Sequence, residues 1–305
     1  MSLVHEALLS QRQVWRQVSQ RILSEGLVQE LPAKLPKRIF IFGVGSSYFA
    51  AKLSTLSLLR EFRKQFGTEF PVHACSSVAI GVEVFPKRGD WAFGLSHRGK
   101  TPATLRALEF SHKSGAFTAW VTAQGGFQSS FAKFSLFTSP LEKCEPHTVG
   151  MTSAICAMTT LFLKSWANEK WTEQSEKPNP DLRLLSEQEI QVPSILVGEW
   201  EGEWIAREIR LKFIEMAKVR PVVFGSEEFF HGPQLFSQKI VEGKRGFKEN
   251  IWCLAMSHDS RAHEFSGGRQ FIISGEHSLS WISSLVELQW LVLAVALKLG
   301  QDPDG

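Results

Sequence analysis

Two stretches of this chain set hydroxyls and glycines where they could hold a phosphate. Residues 92–104 read Ala-Phe-Gly-Leu-Ser-His-Arg-Gly-Lys-Thr-Pro-Ala-Thr. Within them, Ser96-x-x-Gly99-x-Thr101 puts two hydroxyls around a glycine. Pro102 follows and is well suited to the first position of a helix. Gly94-x4-Gly99-Lys100-Thr101 also spells the nucleotide-binding P-loop, G-x-x-x-x-G-K-[ST]. Both patterns use the same physics: a strand ends, hydroxyls and N–H groups turn inward, and a helix N-terminus faces an anion. The second stretch is Gly43-Val44-Gly45-Ser46-Ser47, between the apolar run Arg38–Phe42 and a helical pattern over Tyr48–Phe62. Its serines either cap that helix or bind an anion beside it. The turn lacks the third glycine of G-x-G-x-x-G, which argues against a dinucleotide.

Two further clusters carry acid–base groups. Glu208, Lys212 and Glu215 are spaced four and three apart, on one face of a helix predicted over Trp204–Ala217. Such a trio is either a solvated ladder of ion pairs or a carboxylate–lysine site. Glu228-x-x-His231-Gly232-Pro233 then follows a strand, with His231 close behind two phenylalanines. The four cysteines have no metal-ligand spacing and read as free thiols.

These groups must be positioned by an α/β framework. Residues 4–30 have apolar positions at helical spacing and predict a lead helix. Strands are predicted at Arg38–Phe42, Pro71–Ala74, Trp91–Leu95, Phe117–Thr122 and Phe134–Phe137. Helices are predicted between them at Tyr48–Phe62, Ser76–Gly81 and Pro102–Ser114, and a long apolar one follows at Thr148–Lys170. The alternation predicts a five-stranded, doubly wound domain. Residues 171–193 are polar, hold Pro178, Pro180 and Pro193, and read as a linker. The same grammar then restarts: strands at Ser194–Gly198, Pro221–Gly225, Ile251–Met256 and Gln270–Ile273, with a closing helix over Leu279–Leu299. The expected organisation is a helical lead (1–37), a first domain (38–170), a linker (171–193) and a shortened second domain (194–305). Two similar halves suggest duplication, without a residue-level repeat.

Composition narrows the function classes. With 43% hydrophobic and 21% charged residues over 305 positions, the chain can bury a proper core. A net charge of +3 is too small to argue for nucleic acid. No apolar run is long enough to span a bilayer, and Met1–Gln20 has no signal-peptide core, so a cytoplasmic protein is expected. The P-loop reading fits poorly. Its loop follows the third strand rather than the first, and no later strand ends in the aspartate that would hold magnesium.

Taken together, four segments in order resemble the sugar isomerase (SIS) family in its two-domain form. The likeness is greatest to the isomerase half of glucosamine-6-phosphate synthase, the aminosugar-phosphate isomerase/deaminases and the fructosamine-6-phosphate deglycases. Gly45-Ser46-Ser47 resembles the family's G-T-S turn, and Ser96–Thr101 its S-x-S-G-x-T loop. Val149–Ala154 resembles the segment opening the last helix of the first domain. Leu211–Glu215 followed by Glu228–Pro233 resembles L-K-L-K-E followed by E-L-x-H-G-P. The likeness covers residues 38–300.

The resemblance implies two flavodoxin-like αβα sandwiches and a phosphorylated sugar as substrate, without cofactor or metal. It implies phosphate and sugar contacts at Ser46, Ser47, Ser96, His97, Arg98, Thr101, Ser153 and Glu228. Glu215 would be the base moving a proton between C1 and C2, Lys212 would neutralise developing charge, and His231 would assist ring opening from the neighbouring subunit of a homodimer. The reaction would be isomerisation, with or without loss of ammonia or amine. The chain departs from the family in several places. Arg98 replaces the second serine of the loop, His97 a glutamine, and Ile155 the lysine of the synthases. The stretch His258–Arg269 is short for the usual helix, and the synthase's lysine-bearing tail and glutaminase domain are expected to be missing. A non-catalytic sugar-phosphate-binding regulator and a P-loop phosphotransferase are the alternative readings.

Overall fold

The apolar runs RIFIF and WAFGL become adjacent parallel strands because both of their faces are covered. In the computed structural model, β1 (Ile39–Gly43) and β3 (Trp91–Leu95) are buried along their whole length, as strands of a parallel sheet between helices must be. The structure describes residues 1–67, 70–187, 192–233, 238–241, 244–247, 250–256, 269–273 and 278–305. They form two units: Met1 with Glu6–Pro178, and Ser2–His5 with Asn179–Gly305.

The first unit contains α1 (Leu3–Ser24, from Glu6 onward), β1, α2 (Ser46–Phe66), β2 (Val72–Ser76), β3, α3 (Pro102–Lys113), β4 (Phe117–Gln124), β5 (Phe134–Pro140) and α4 (Val149–Glu176). Its sheet runs β2-β1-β3-β4-β5, all parallel, with Ile39 opposite both Val72 and Trp91. This is the flavodoxin-like order. The strand order reverses between β1 and β3, which opens a crevice beyond their carboxyl ends.

Residues 1–37 are not a detached lead, because most of α1 packs on α4. Trp15 meets Trp171 edge-on at 5.0 Å. The Trp15 indole N–H and the Gln11 amide both donate to Thr152 Oγ1 at 3.0 Å. The same contact explains why α4 outruns the expected Lys170. Trp171 and Gln174 are wholly buried, and Trp171 donates to Thr159 Oγ1 at 2.9 Å. The polar stretch expected as a linker therefore begins with the last turns of α4. Inside α4 the backbone breaks at Lys164, where φ is 46° and ψ −123°.

The second unit holds α5 (Leu182–Glu187), β6 (Ile195–Gly198), α6 (Glu201–Lys212), β7 (Val222–Gly225), α7 (Ser226–Phe230), β8 (Gln238–Val241), β9 (Lys244–Phe247), β10 (Ile251–Met256), β11 (Arg269–Ile273) and α8 (Ile282–Lys298). Its parallel sheet runs β11-β10-β6-β7. Counted from β6, that is the order 2-1-3-4: the first unit's order short of its last strand. The antiparallel pair β8–β9 was not anticipated from sequence. The connection at 257–268, expected to be short, lies outside the described residues. At the other end of the chain, the Asp304 carboxylate accepts the Leu3 and Val4 N–H groups at 2.9 Å each, capping the first turn of α1.

Among the described residues, no helix is long and apolar enough to cross a membrane. None of the four cysteines is in a disulfide. Burial pushes the Cys75 thiol up to about 11 and raises Cys156 as well, so neither is a nucleophile at neutral pH.

Candidate functional site

The two glycine-rich turns of the first unit converge on the crevice between β1 and β3. After β1, Gly43 must lack a side chain, since a Cβ there would lie 2.7 Å from the Ser47 backbone. Gly45 follows with φ 58° and ψ −133°, a conformation that suits glycine, and is the N-cap of α2. Ser46 and Ser47 are therefore the first two residues of the helix rather than its cap, and the helix begins two residues before the predicted Tyr48. Gly45 has no side chain with which to cap α2, and Ser46 and Ser47 of its first turn line the pocket.

The second turn is held just as firmly. Ser96 N–H extends the β-ladder to Val121 O at 3.0 Å. Gly99 has φ 73°, and a Cβ there would collide with the backbone of Phe127. Thr101 is the N-cap of α3, yet its hydroxyl does not cap the helix. It pairs instead with Ser96 Oγ at 2.9 Å. Ser46, Ser47, Ser96, His97, Thr122, Thr138, His147 and Gly150 line the resulting pocket, which encloses about 20 Å³. That is room for about one water molecule.

His97 and His147 form the pocket's other wall, with ring centroids 4.4 Å apart. His97 Nε2 accepts the Glu142 main-chain N–H at 2.9 Å. Gly150 is required beside them, because a Cβ there would collide with His97 Nδ1 and approach Glu142 Oε2 to 2.7 Å. The Glu142 carboxylate accepts N–H groups from Thr148 at 2.9 Å, Val149 at 3.1 Å and Gly150 at 2.6 Å. It also accepts the Thr148 hydroxyl at 3.2 Å. Sequence reading passed over Glu142 and His147. Neither sits in a motif, and only the fold of residues 141–148 over the α4 start brings them to His97.

The remaining residues singled out in this unit lie elsewhere. Arg98 turns outward to Glu145 Oε1 at 2.9 Å and to Cys144 O at 3.4 Å. Lys100 is exposed and does not line the pocket, which removes the feature a P-loop needs most. Ser153 is fully buried; its hydroxyl donates to Gly150 O at 3.2 Å and accepts Ser139 N–H at 3.3 Å.

In the second unit, the predicted trio is brought together and is not a solvated ladder. Lys212 and Glu208 are both wholly buried and their charged groups lie 3.3 Å apart. Lys212 Nζ also donates to Glu215 Oε2 at 2.8 Å, while the Glu215 side chain stays 27% exposed. Glu215 lies in a π-helical turn, Phe213–Ala217, that continues α6, and such turns are frequent at functional positions. One lysine thus serves two carboxylates, one sealed from solvent and one reachable.

Glu228 and His231 are exposed, at the short helix α7. Their aromatic neighbours have a structural reason: Phe229 and Phe230 are buried against Ile195, Val197, Ile251 and Cys253.

The β6–α6 turn repeats the β1–α2 turn with different side chains. A Cβ at Gly198 would collide with Gly202, as one at Gly43 would with Ser47. Trp200 has φ 50° and ψ −120°, the backbone of Gly45. Where Ser46 opens α2, Glu201 opens α6, and it is wholly buried. The second unit's equivalent helix start therefore already holds an acid.

No family model and no curated protein matches this chain. Solved structures do. The C-terminal domain of glucosamine-fructose-6-phosphate aminotransferase from Francisella tularensis superposes with a TM-score of 0.72 at 16% identity, covering 100% of this chain and 98% of that one. Tagatose-6-phosphate ketose/aldose isomerase from Escherichia coli gives 0.73 at 14% identity, over 99% and 94%. Glucosamine-6-phosphate deaminase from Thermotoga maritima gives 0.72 at 16%, over 99% and 97%. The fold of the chain is the α/β fold of these proteins along its whole length.

Proposed function

We propose that the protein is a sugar-phosphate isomerase. Its substrate would be an aldose or ketose phosphate, or an aminosugar phosphate whose isomerisation is accompanied by loss of ammonia. The observation that carries this reading is the convergence of Ser46, Ser47 and Ser96, the last paired with Thr101 behind it, on one pocket at the β1/β3 switch point, where open α/β sheets bind their ligands. Hydroxyls at a helix start suit a phosphate. The named solved structures support the same substrate class.

The reaction needs a phosphate seat and a carboxylate that can carry a proton. The resemblance assigns the seat to serines of the first unit. The second holds Glu215, accessible and paired with a buried lysine. In this reading, Glu215 takes the C2 proton of the open-chain aldose and returns it to C1, through an enediol. The proton on the C2 hydroxyl leaves as C2 becomes the carbonyl, and one is gained at O1, so atoms balance. Lys212, hydrogen-bonded to Glu215, lends positive charge to the enediolate. His231, exposed at the end of α7, is the residue proposed to open the sugar ring, supplied by the second subunit of a homodimer.

A thermal-shift panel of hexose and aminosugar 6-phosphates, with product analysis of each hit, tests the proposal. Stabilisation with interconversion of an aldose and a ketose phosphate is expected. Absence of stabilisation by every member of the panel would sink it.

A further inference from the structure

The start of α4 is a ready anion site that the chain has filled itself. The Glu142 carboxylate takes three successive N–H groups and a hydroxyl there, and it is 8% exposed. The same residue's N–H holds His97 by Nε2, which fixes that ring against His147 at the pocket wall. Gly150 leaves the space that the arrangement requires. His97, Glu142 and Gly150 thus form one device. Its carboxylate already neutralises the positive end of α4, so a second anion on that side would meet a like charge at close range.

We infer that Glu142 is a positioning and specificity-determining residue: an internal stand-in for a ligand anion, which leaves the pocket one anionic seat, at the α2 start and Ser96. The α4 side then offers His97 and His147 to uncharged sugar oxygens. This rests on the sugar-phosphate reading, and it selects monophosphates over bisphosphates.

Two variants and two probes test it. Glu142→Ala empties the α4 start, and acetate is small enough to refill it. Acetate should raise the melting temperature of E142A toward that of the wild type while leaving the wild type unmoved. Glu142→Gln keeps the side chain's size and removes its charge. In E142Q, the affinity for fructose 1,6-bisphosphate relative to fructose 6-phosphate should rise by about tenfold or more. Equal acetate shifts in wild type and E142A would overturn the internal anion. An unchanged ratio in E142Q would overturn the selectivity. If no sugar phosphate binds any form, the proposed function falls together with the selectivity, while acetate rescue of E142A would still uphold the filled seat.

Discussion

At the scale of single residues, the sharpest expectation concerns Lys212. Burial of an ammonium is tolerable here because Glu208 and Glu215 both reach it, at 3.3 and 2.8 Å. Lys212→Met removes the buried ammonium that lies 3.3 Å from the Glu208 carboxylate. Loss of one partner of a buried pair costs roughly 3–5 kcal/mol, so urea denaturation should detect a fall of that order. Glu215→Gln keeps the shape and a hydrogen bond to Lys212 but cannot carry the proton. Turnover of the sugar phosphate should drop by about 10²–10⁴-fold, with binding by thermal shift nearly intact. Equal turnover in this variant would remove Glu215 as the base. Gly150→Ala drives a methyl into His97 and Glu142. Overpacking of this kind costs about 1–3 kcal/mol, visible as a lower melting temperature.

At the scale of elements, what could be read from sequence and what could not divides along physical lines. Strands β1 and β3 were legible because burial on both faces makes them continuous apolar runs, and β1 ends at Gly43, where a side chain would meet the Ser47 backbone. The Ser96–Thr101 loop was legible for the same reason: Gly99 and Pro102 punctuate it. The end of α4 was not, because Trp171 packs on Trp15 of α1 and the Gln174 carbonyl accepts from Arg12 of α1, contacts that local polarity, pointing to a linker, does not reveal. The burial of Glu208 and Lys212 was also hidden, since spacing alone describes a solvated ladder equally well. Trp200 gives the element-scale test. A tryptophan that is 66% exposed buries little to offset its glycine-like backbone. Trp200→Gly releases strain of about 1–3 kcal/mol against a glycine entropy cost of about 0.5–1 kcal/mol. The expected outcome is a higher melting temperature by calorimetry; a fall would place stabilising contacts on the indole.

At the scale of the whole molecule, strand order repeats where sequence does not: 2-1-3-4-5 in the first unit and 2-1-3-4 in the second. Side chains at the paired turns have diverged, serine at 46 and a buried glutamate at 201. Calorimetric titration with a hexose 6-phosphate should therefore saturate at one ligand per chain, and two would show that the Glu201 turn also accepts an anion. The repeat was suspected from the recurrence of strand, turn and helix, but its extent became visible only in the sheet. The cap on α1 has a consequence for how the chain comes off the ribosome. The first turn of that helix is completed by Asp304, 301 residues downstream of Leu3. Domains assemble as units during synthesis, the earlier-made ones first. The first unit can close as soon as α4 has emerged, but the bonds from Leu3 and Val4 can form only after Asp304 has emerged as well.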